Sequence, residues 1–243
     1  VDVVIESSPQ AVAQEAAARF VALSQEAAES HGRFSVALAG GSSPKPLYSL
    51  LAEDPYRSQI PWSAVHLFWG DERCVPPGDP GSNYRLAEGT LISRVPIPPE
   101  NVHRMPGELA PEAAARAYIR DLEDFFCGPR ARFDLVLLGL GSDGHTASLF
   151  PGSAALQERE RLAVAAQAEY EDRPADRVTL TLPAINSARQ VWFLVTGSAK
   201  AGVVRKVLEG PGRDLPAQLV RPVAGELTWL LDAAAASQLK DRA

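Results

Sequence analysis

The sequence predicts an α/β fold, a mainly parallel sheet with helices on both faces. Two observations lead there. Strand-sized apolar runs alternate along the chain with helical stretches of roughly 10–15 residues, the pattern of crossover units. Phe34–Ala39, Phe133–Leu138 and Val191–Val195 are nearly continuous apolar runs, as strands buried on both faces are.

The elements follow in order. Ser8 and Pro9 open a helix with a cap and a proline in its first turn. Val12, Ala16, Phe20, Leu23 and Ala27 then recur at helical spacing until Gly32. Phe34–Ala39 is a buried strand. Gly40-Gly41-Ser42-Ser43-Pro44 leads from it into a helix through Leu47, Leu50 and Leu51, with Ser43 as the expected cap and Pro44 at the first position. Val65–Trp69 is the next strand, and the Pro- and Gly-rich stretch 75–83 is a loop. Pro111–Phe126 is a helix with Ala115, Tyr118, Ile119, Leu122, Phe125 and Phe126 on one face. Phe133–Leu138 is a strand ended by Gly139, and Arg177–Leu182 alternates in the manner of a half-buried strand. Val191–Val195 is apolar throughout, Ser198–Glu209 is a helix closed by Gly210, Leu227–Leu231 is a last strand, and the alanine-rich tail is a last helix. The Pro-rich stretch 95–111 is the one candidate seam, and core-like segments flank it, so a single domain spanning residues 1–243 is expected.

Composition narrows the function. Apolar residues make up 46% and charged residues 22%, which is globular and not disordered. With 24 Lys and Arg against 30 Asp and Glu the net charge is −6, which disfavours nucleic acid as a partner. Cys74 and Cys127 are too few for a disulfide scaffold and fit a reducing compartment. No C-x-x-C or H-E-x-x-H spacing points to a metal. The start, VDVVIESSPQ, lacks the features of a signal peptide, and Val1 together with a single methionine, Met105, reads as a trimmed start. The longest apolar runs, Leu135–Leu140 and Val191–Val195, fall far short of the ~18 residues of a membrane span, so a cytoplasmic location is expected.

Three loops that follow strands, 40–44, 70–74 and 139–146, are Gly-rich or charged. In open α/β sheets ligands sit beyond the carboxyl ends of strands, so these loops mark a candidate site. Gly40 and Gly41 allow close backbone approach, and Ser42 and Ser43 offer hydroxyls beside a helix start that attracts anions. The same residues also read as no more than a capped strand-to-helix turn. Gly139-Leu140-Gly141-Ser142-Asp143-Gly144-His145 matches G-x-G-x-x-G, but Pro151-Gly152 interrupts the long helix a dinucleotide fingerprint needs. Its Asp143-Gly144-His145 end offers a group that titrates near neutrality, or a hydrogen-bonded turn histidine. Asp71, Glu72 and Arg73 form either a solvated loop or a carboxylate that orients a histidine or binds a polyol. Lys200 falls in the first turn of its helix, where a cation costs ~0.3–1 kcal/mol unless an anion binds beside it. Arg177 adds a guanidinium suited to phosphate oxygens. No G-x-S-x-G elbow is present, so histidine acid–base work on a small anion is the simplest chemistry left.

Together the segments ALAGGSSPKPLYSLLA, FWGDERCVPPGDPGSNYRLA, DLVLLGLGSDGHTASLFPGS, RVTLTLPAIN and VTGSAKA resemble, in order, those of the 6-phosphogluconolactonases. The resemblance implies hydrolysis of 6-phosphoglucono-δ-lactone to 6-phosphogluconate in the oxidative pentose phosphate pathway. It implies a Rossmann-like three-layer α/β/α sandwich shared with the glucosamine-6-phosphate isomerases. It implies that His145 is the general base and that Asp143 and Asp71 shape and polarise the site. Gly41, Ser42, Ser43, Arg177 and Lys200 would receive the phosphate, Gly40 would belong to the same substrate-binding loop, and Arg73 and Asn83 would face the sugar ring or the carbonyl. The backbone N–H groups of the Gly139–Gly144 loop would meet the oxyanion. A phosphorylated sugar lactone is then the partner, the chain is expected to act as a monomer, and no metal or cofactor is called for.

Three rivals stand beside this reading. An aldose–ketose isomerase or deaminase of the same superfamily carries a glutamate just before the proline after the histidine loop, and here that place is Phe150. A sugar-phosphate binder without turnover could keep Lys200 and Arg177. A dinucleotide-dependent oxidoreductase rests on the Gly-rich loop alone.

Overall fold

The chain opens on a strand that its short, mixed sequence does not advertise: β1 (Asp2–Glu6). The first helix, α1 (Pro9–His31), is held at both ends as its sequence dictates. Ser8 Oγ accepts the Ala11 N–H, and Gly32 closes the helix in the left-handed region at φ +78°. Its buried stripe, including Val12, Ala16, Phe20 and Ala27, faces the core at helical spacing. Then come β2 (Phe34–Leu38), α2 (Lys45–Leu51), α3 (Tyr56–Gln59), β3 (Val65–Trp69), β4 (Asp71–Arg73), α4 (Asn83–Thr90) and α5 (Pro111–Phe126). The second half holds β5 (Leu135–Leu138), β6 (Ala163–Gln167), β7 (Asp176–Leu180), α6 (Leu182–Asn186), β8 (Gln190–Val195), α7 (Ala201–Glu209) and β9 (Glu226–Asp232). This computed structural model describes residues 1–168 and 174–240.

Six strands form one parallel sheet in the order β1-β9-β8-β5-β2-β3. Every residue of β2 and β5 is buried, which explains their nearly continuous apolar sequence. The Phe193 and Trp229 rings stack at 4.0 Å across β8 and β9, and Phe20 meets Phe34 edge-on at 5.2 Å. The chain runs from β2 outward to β3 and then returns to the other side of β2 at β5. That reversal opens a crevice at the carboxyl ends of β2 and β5, the usual ligand position in such sheets.

A second sheet, β4-β7-β6, is antiparallel. Its existence corrects two expectations. Residues 71–73 are strand and not loop, and Asp71 and Glu72 are buried, because neighbouring side chains and backbone N–H groups satisfy their carboxylates. β7 is buried from Arg177 to Leu180 and does not alternate, because Val178 and Leu180 join the apolar core while Arg177 meets the cavity and Thr179 meets Ser148.

Four further assignments change. Ser43 does not cap α2, whose first residue is Lys45 after Pro44 and which has no side-chain cap; Gly41, at φ +85°, bends the loop before it. Ser198 opens a 3-10 turn, Ser198–Lys200, after Gly197, and α7 proper begins at Ala201. The alanine-rich tail forms turns, not a helix. Asp232 Oδ1 takes the Ala235 N–H, and Ser237 and Leu239 bond three residues back, so no run of helical bonds propagates. α4, inside and beyond the expected 75–83 loop, starts at Asn83 with Ser82 as its cap.

On β3, His66 points into an aromatic cluster. Its Nδ1 lies 3.2 Å from His103 Nε2, and its ring lies 4.7 Å from Phe125. Burial, with His103 and Arg33 adding repulsion, pushes the His66 imidazole down to about 4. Unfolded histidine titrates near ~6.5. Between those values the unfolded chain takes up a proton that the folded one refuses, so stability falls as pH falls and levels off below about 4. Urea unfolding of wild type and His66→Phe at pH 7, 6 and 5 checks this. The variant should show the shallower loss, and equal slopes for both proteins would refute it.

Candidate active site

A cavity of about 310 Å³ sits in the crevice at the carboxyl ends of β2 and β5. Four strand ends feed it. Ala39–Ser43 come from the end of β2, Asp71 and Arg73 from β4 just past β3, Gly139–Ser142 and His145 from the end of β5, and Lys200 from the turn after β8. Arg177 reaches it from β7 and Asn83 from the first turn of α4. All eleven residues singled out in the sequence except Asp143 line this one space, and Asp143 touches it through His145.

Buried side chains fix the loop origins. Tyr48 of α2 donates to the Ala39 carbonyl at 2.7 Å. The Tyr118 hydroxyl of α5 both accepts from the Trp69 N–H and donates to its carbonyl, each at 2.9 Å. Burial pushes both phenols far above their ordinary value, so they remain protonated donors. Asp232 accepts the Gly197 N–H at 3.0 Å and so holds the turn that carries Lys200.

His145 is defined by its neighbour. Its Nδ1 lies 2.5 Å from Asp143 Oδ1, and the same oxygen accepts the His145 backbone N–H at 3.1 Å. Burial opposes the Asp143 charge, but the backbone N–H, the imidazole charge and the ring hydrogen bond outweigh it and hold the carboxyl below its ordinary value. An ionised Asp143 needs the proton on Nδ1, which leaves Nε2 as the basic atom. Gly141 has to be glycine, because a Cβ there would come within 2.0 Å of His145 Nδ1. Phe150 lies over the imidazole with ring centres 4.8 Å apart, an apolar neighbour where the rival isomerases would carry a glutamate.

The expected oxyanion donors are partly used up. Gly141 N–H donates to the His145 carbonyl and Gly144 N–H to the Gly141 carbonyl, closing the loop on itself. Arg73 Nη1 donates to the Gly81 carbonyl, and among the described residues its buried Nε has no acceptor. Arg73 and Arg177 stand directly opposite each other in the β4–β7 ladder. Like charges in that position repel, and an anion between them relieves the cost. Arg177 is 4% exposed, with Nε on the Pro174 carbonyl, and Lys200 Nζ donates to the Leu140 carbonyl at 2.7 Å. No acceptor among the described residues takes the backbone N–H groups of Gly41, Ser42 or Ser43.

Asn83 lines the cavity and also braces Asp71. Its Nδ2 donates to the Asp71 carbonyl at 2.8 Å and to Asp71 Oδ1 at 3.3 Å. Its Oδ1 presses on Gly40, where a Cβ would stand 2.0 Å away. Glu72 turns away from the cavity and accepts the Asn83 and Tyr84 N–H groups at the start of α4. Burial raises its carboxyl above the ordinary value, against four opposing hydrogen bonds. Sequence reasoning missed Ser148, whose Oγ donates to Asp71 Oδ2 at 2.6 Å across 77 residues, and nothing local signals such a contact. Among the described residues no group of three or more His, Cys, Asp or Glu is arranged to hold a metal, and no helix is long and apolar enough to cross a membrane.

Comparison with known proteins gives the family and the fold. The family model described as glucosamine-6-phosphate isomerases/6-phosphogluconolactonase matches residues 7–229. A 6-phosphogluconolactonase of Nostoc sp. is 42% identical over 219 residues, covering 88% of each chain. One of Rattus norvegicus is 43% identical over 214 residues, covering 86% of this chain and 81% of its own. The solved 6-phosphogluconolactonase of Trypanosoma brucei superposes with a TM-score of 0.86 at 32% identity, covering 98% of both chains. A monomeric glucosamine-6-phosphate deaminase shares the fold, with a TM-score of 0.82 at 23% identity over 98% of this chain and 100% of its own. The chain belongs to the glucosamine-6-phosphate isomerase/6-phosphogluconolactonase family.

Proposed function

We propose that the chain hydrolyses 6-phosphoglucono-δ-lactone to 6-phosphogluconate, acting as a single-domain cytoplasmic monomer that engages neither nucleic acid nor membrane. The observation that carries the reading is the His145–Asp143 pair on the wall of a cavity that also holds Arg73, Arg177 and Lys200. The family relatives named for this reaction support it. One apolar cluster, continuous from Val12 to Leu239, supports the single domain.

Neutral His145 takes a proton from water at Nε2 as the water oxygen attacks the lactone carbonyl. Asp143 stabilises the imidazolium through Nδ1. Arg73, with its open Nε, meets the charge that develops on the carbonyl oxygen. The carbon–ring-oxygen bond then breaks, and the imidazolium returns its proton to that oxygen. The phosphate lies against Arg177, Lys200, the Ser42 and Ser43 hydroxyls and the N–H groups of Gly41–Ser43, with Gly40 keeping the backbone close. Asp71 faces the ring hydroxyls, and Asn83 acts on the site through Asp71. Phe150 puts an apolar ring on the imidazole, which favours ester hydrolysis over amino-sugar chemistry that wants a carboxylate there.

A stopped assay with freshly made 6-phosphogluconolactone, corrected for spontaneous hydrolysis, tests the base. His145→Ala should lose roughly 100- to 10,000-fold in kcat, and a variant with wild-type kcat would remove His145 from the mechanism. Lys200→Ala should raise KM for the phosphorylated lactone about 10-fold or more, while the unphosphorylated lactone is processed as by wild type. Equal weakening of both substrates would refute the phosphate role.

A further inference from the structure

We propose that Ser148 is a positioning residue of the hydrolysis, the group that aims the Asp71 carboxylate at the bound sugar. The proposal rests on the reading of Asp71 as facing the substrate.

Asp71 is 8% exposed, and the side-chain donors on its carboxylate are both neutral. Asn83 Nδ2 holds Oδ1 at 3.3 Å, the longer contact, and Ser148 Oγ holds Oδ2 at 2.6 Å. A hydroxyl has one hydrogen, and a carboxylate offers about four lone-pair sites. The Ser148 hydrogen therefore occupies one site and, together with the longer Asn83 contact on the other oxygen, fixes the plane of the group, which sets the direction of the remaining lone pairs into the cavity that Asp71 lines. Ser148 is itself immobilised. It is 0% exposed, and its backbone N–H donates to Thr179 Oγ1 at 3.2 Å. Thr179 spends its own hydrogen on the Leu180 carbonyl and stands directly opposite Asp71 in the β4–β7 ladder. Serine, threonine and aspartate thus form a closed arrangement referenced to one sheet.

The backbone before Ser148 carries a cost that fits this role. Ala147 adopts φ +49°, a left-handed conformation that alanine avoids, and it lines the cavity. The turn buries the side chains on both sides of it. Thr146, 1% exposed, bonds the Gly139 carbonyl of the histidine loop, while Ser148 bonds Asp71. One strained residue therefore couples the loop of the general base to the carboxylate across the cavity.

A double-mutant cycle on the whole enzyme, with freshly made 6-phosphogluconolactone, tests the assignment. Ser148→Ala should lower kcat roughly 10-fold with KM within about twofold, and Asp71→Asn should lower it further. The double variant should match Asp71→Asn alone, because Ser148 has nothing left to orient. Ser148→Thr should recover activity that Ser148→Ala loses, and a thermal unfolding midpoint near wild type separates aim from folding. Should Ser148→Ala fail to fold, Ser148→Cys fills the same place with a slightly larger and weaker donor, and it should show the same loss of kcat. A serine variant that folds and keeps wild-type kcat, or fully additive losses in the double variant, overturns the role of Ser148. Wild-type kcat in Asp71→Asn would instead overturn the reading of Asp71, and this proposal with it.

Discussion

The chain passes from the parallel sheet to the antiparallel one through Gly70, and both of its backbone polar groups are spent on holding the two together. Its N–H donates to the Leu38 carbonyl of β2 at 2.9 Å, and its carbonyl accepts the Leu180 N–H of β7 at 2.8 Å. Backbone groups buried at such a junction must be paired, and these pairings fix where the small sheet stands. Because β7 is tied to Gly70, Arg177 and Thr179 arrive beside the crevice made by β2 and β5. Because β4 begins at the next residue, Asp71 enters the same space. The remaining site residues hang on strand ends that Tyr48, Tyr118 and Asp232 secure.

This arrangement concentrates positive charge in a chain whose net charge is −6. Arg73 and Arg177 are forced together by strand pairing, and Lys200 is brought to the end of β5 by its bond to Leu140. The three cations are thereby gathered by the scaffold itself, which carries the cost of bringing them together. The nearby acidic groups do not cancel this charge equally. Glu72 faces the start of α4, Asp143 is committed to the imidazole, and Asp71 faces inward in a fixed orientation.

Much of this was legible in the sequence for definite reasons. β2, β5 and β8 show themselves because strands buried on both faces need continuous apolar residues. α1 and α5 show themselves by helical spacing with a proline in the first turn. The three strand-end loops follow from the rule for open sheets, and they did converge. What stayed hidden depends on contacts distant along the chain. Asp71-Glu72-Arg73 looks like a solvated loop until Ser82, Asn83 and Ser148 arrive to satisfy it. Ser43 looks like a cap until Pro44 takes the cap position and leaves the serine one residue short of it. Alanine propensity in the tail yields to Asp232, which draws the chain into turns.

The three charged residues of β4 divide by parity. Asp71 and Arg73 point into the cavity, and Glu72, between them, points into the scaffold. A strand exchanges its faces when its register moves by one residue. Inserting or deleting a single residue at Gly70 would therefore turn Glu72 inward, move Asp71 and Arg73 off the cavity, and replace a balanced pair of charges with one negative charge. The length of that junction is a constraint as strict as the identity of any side chain in the cavity. Loops elsewhere on the surface can drift in length, but this one acts as a counting device.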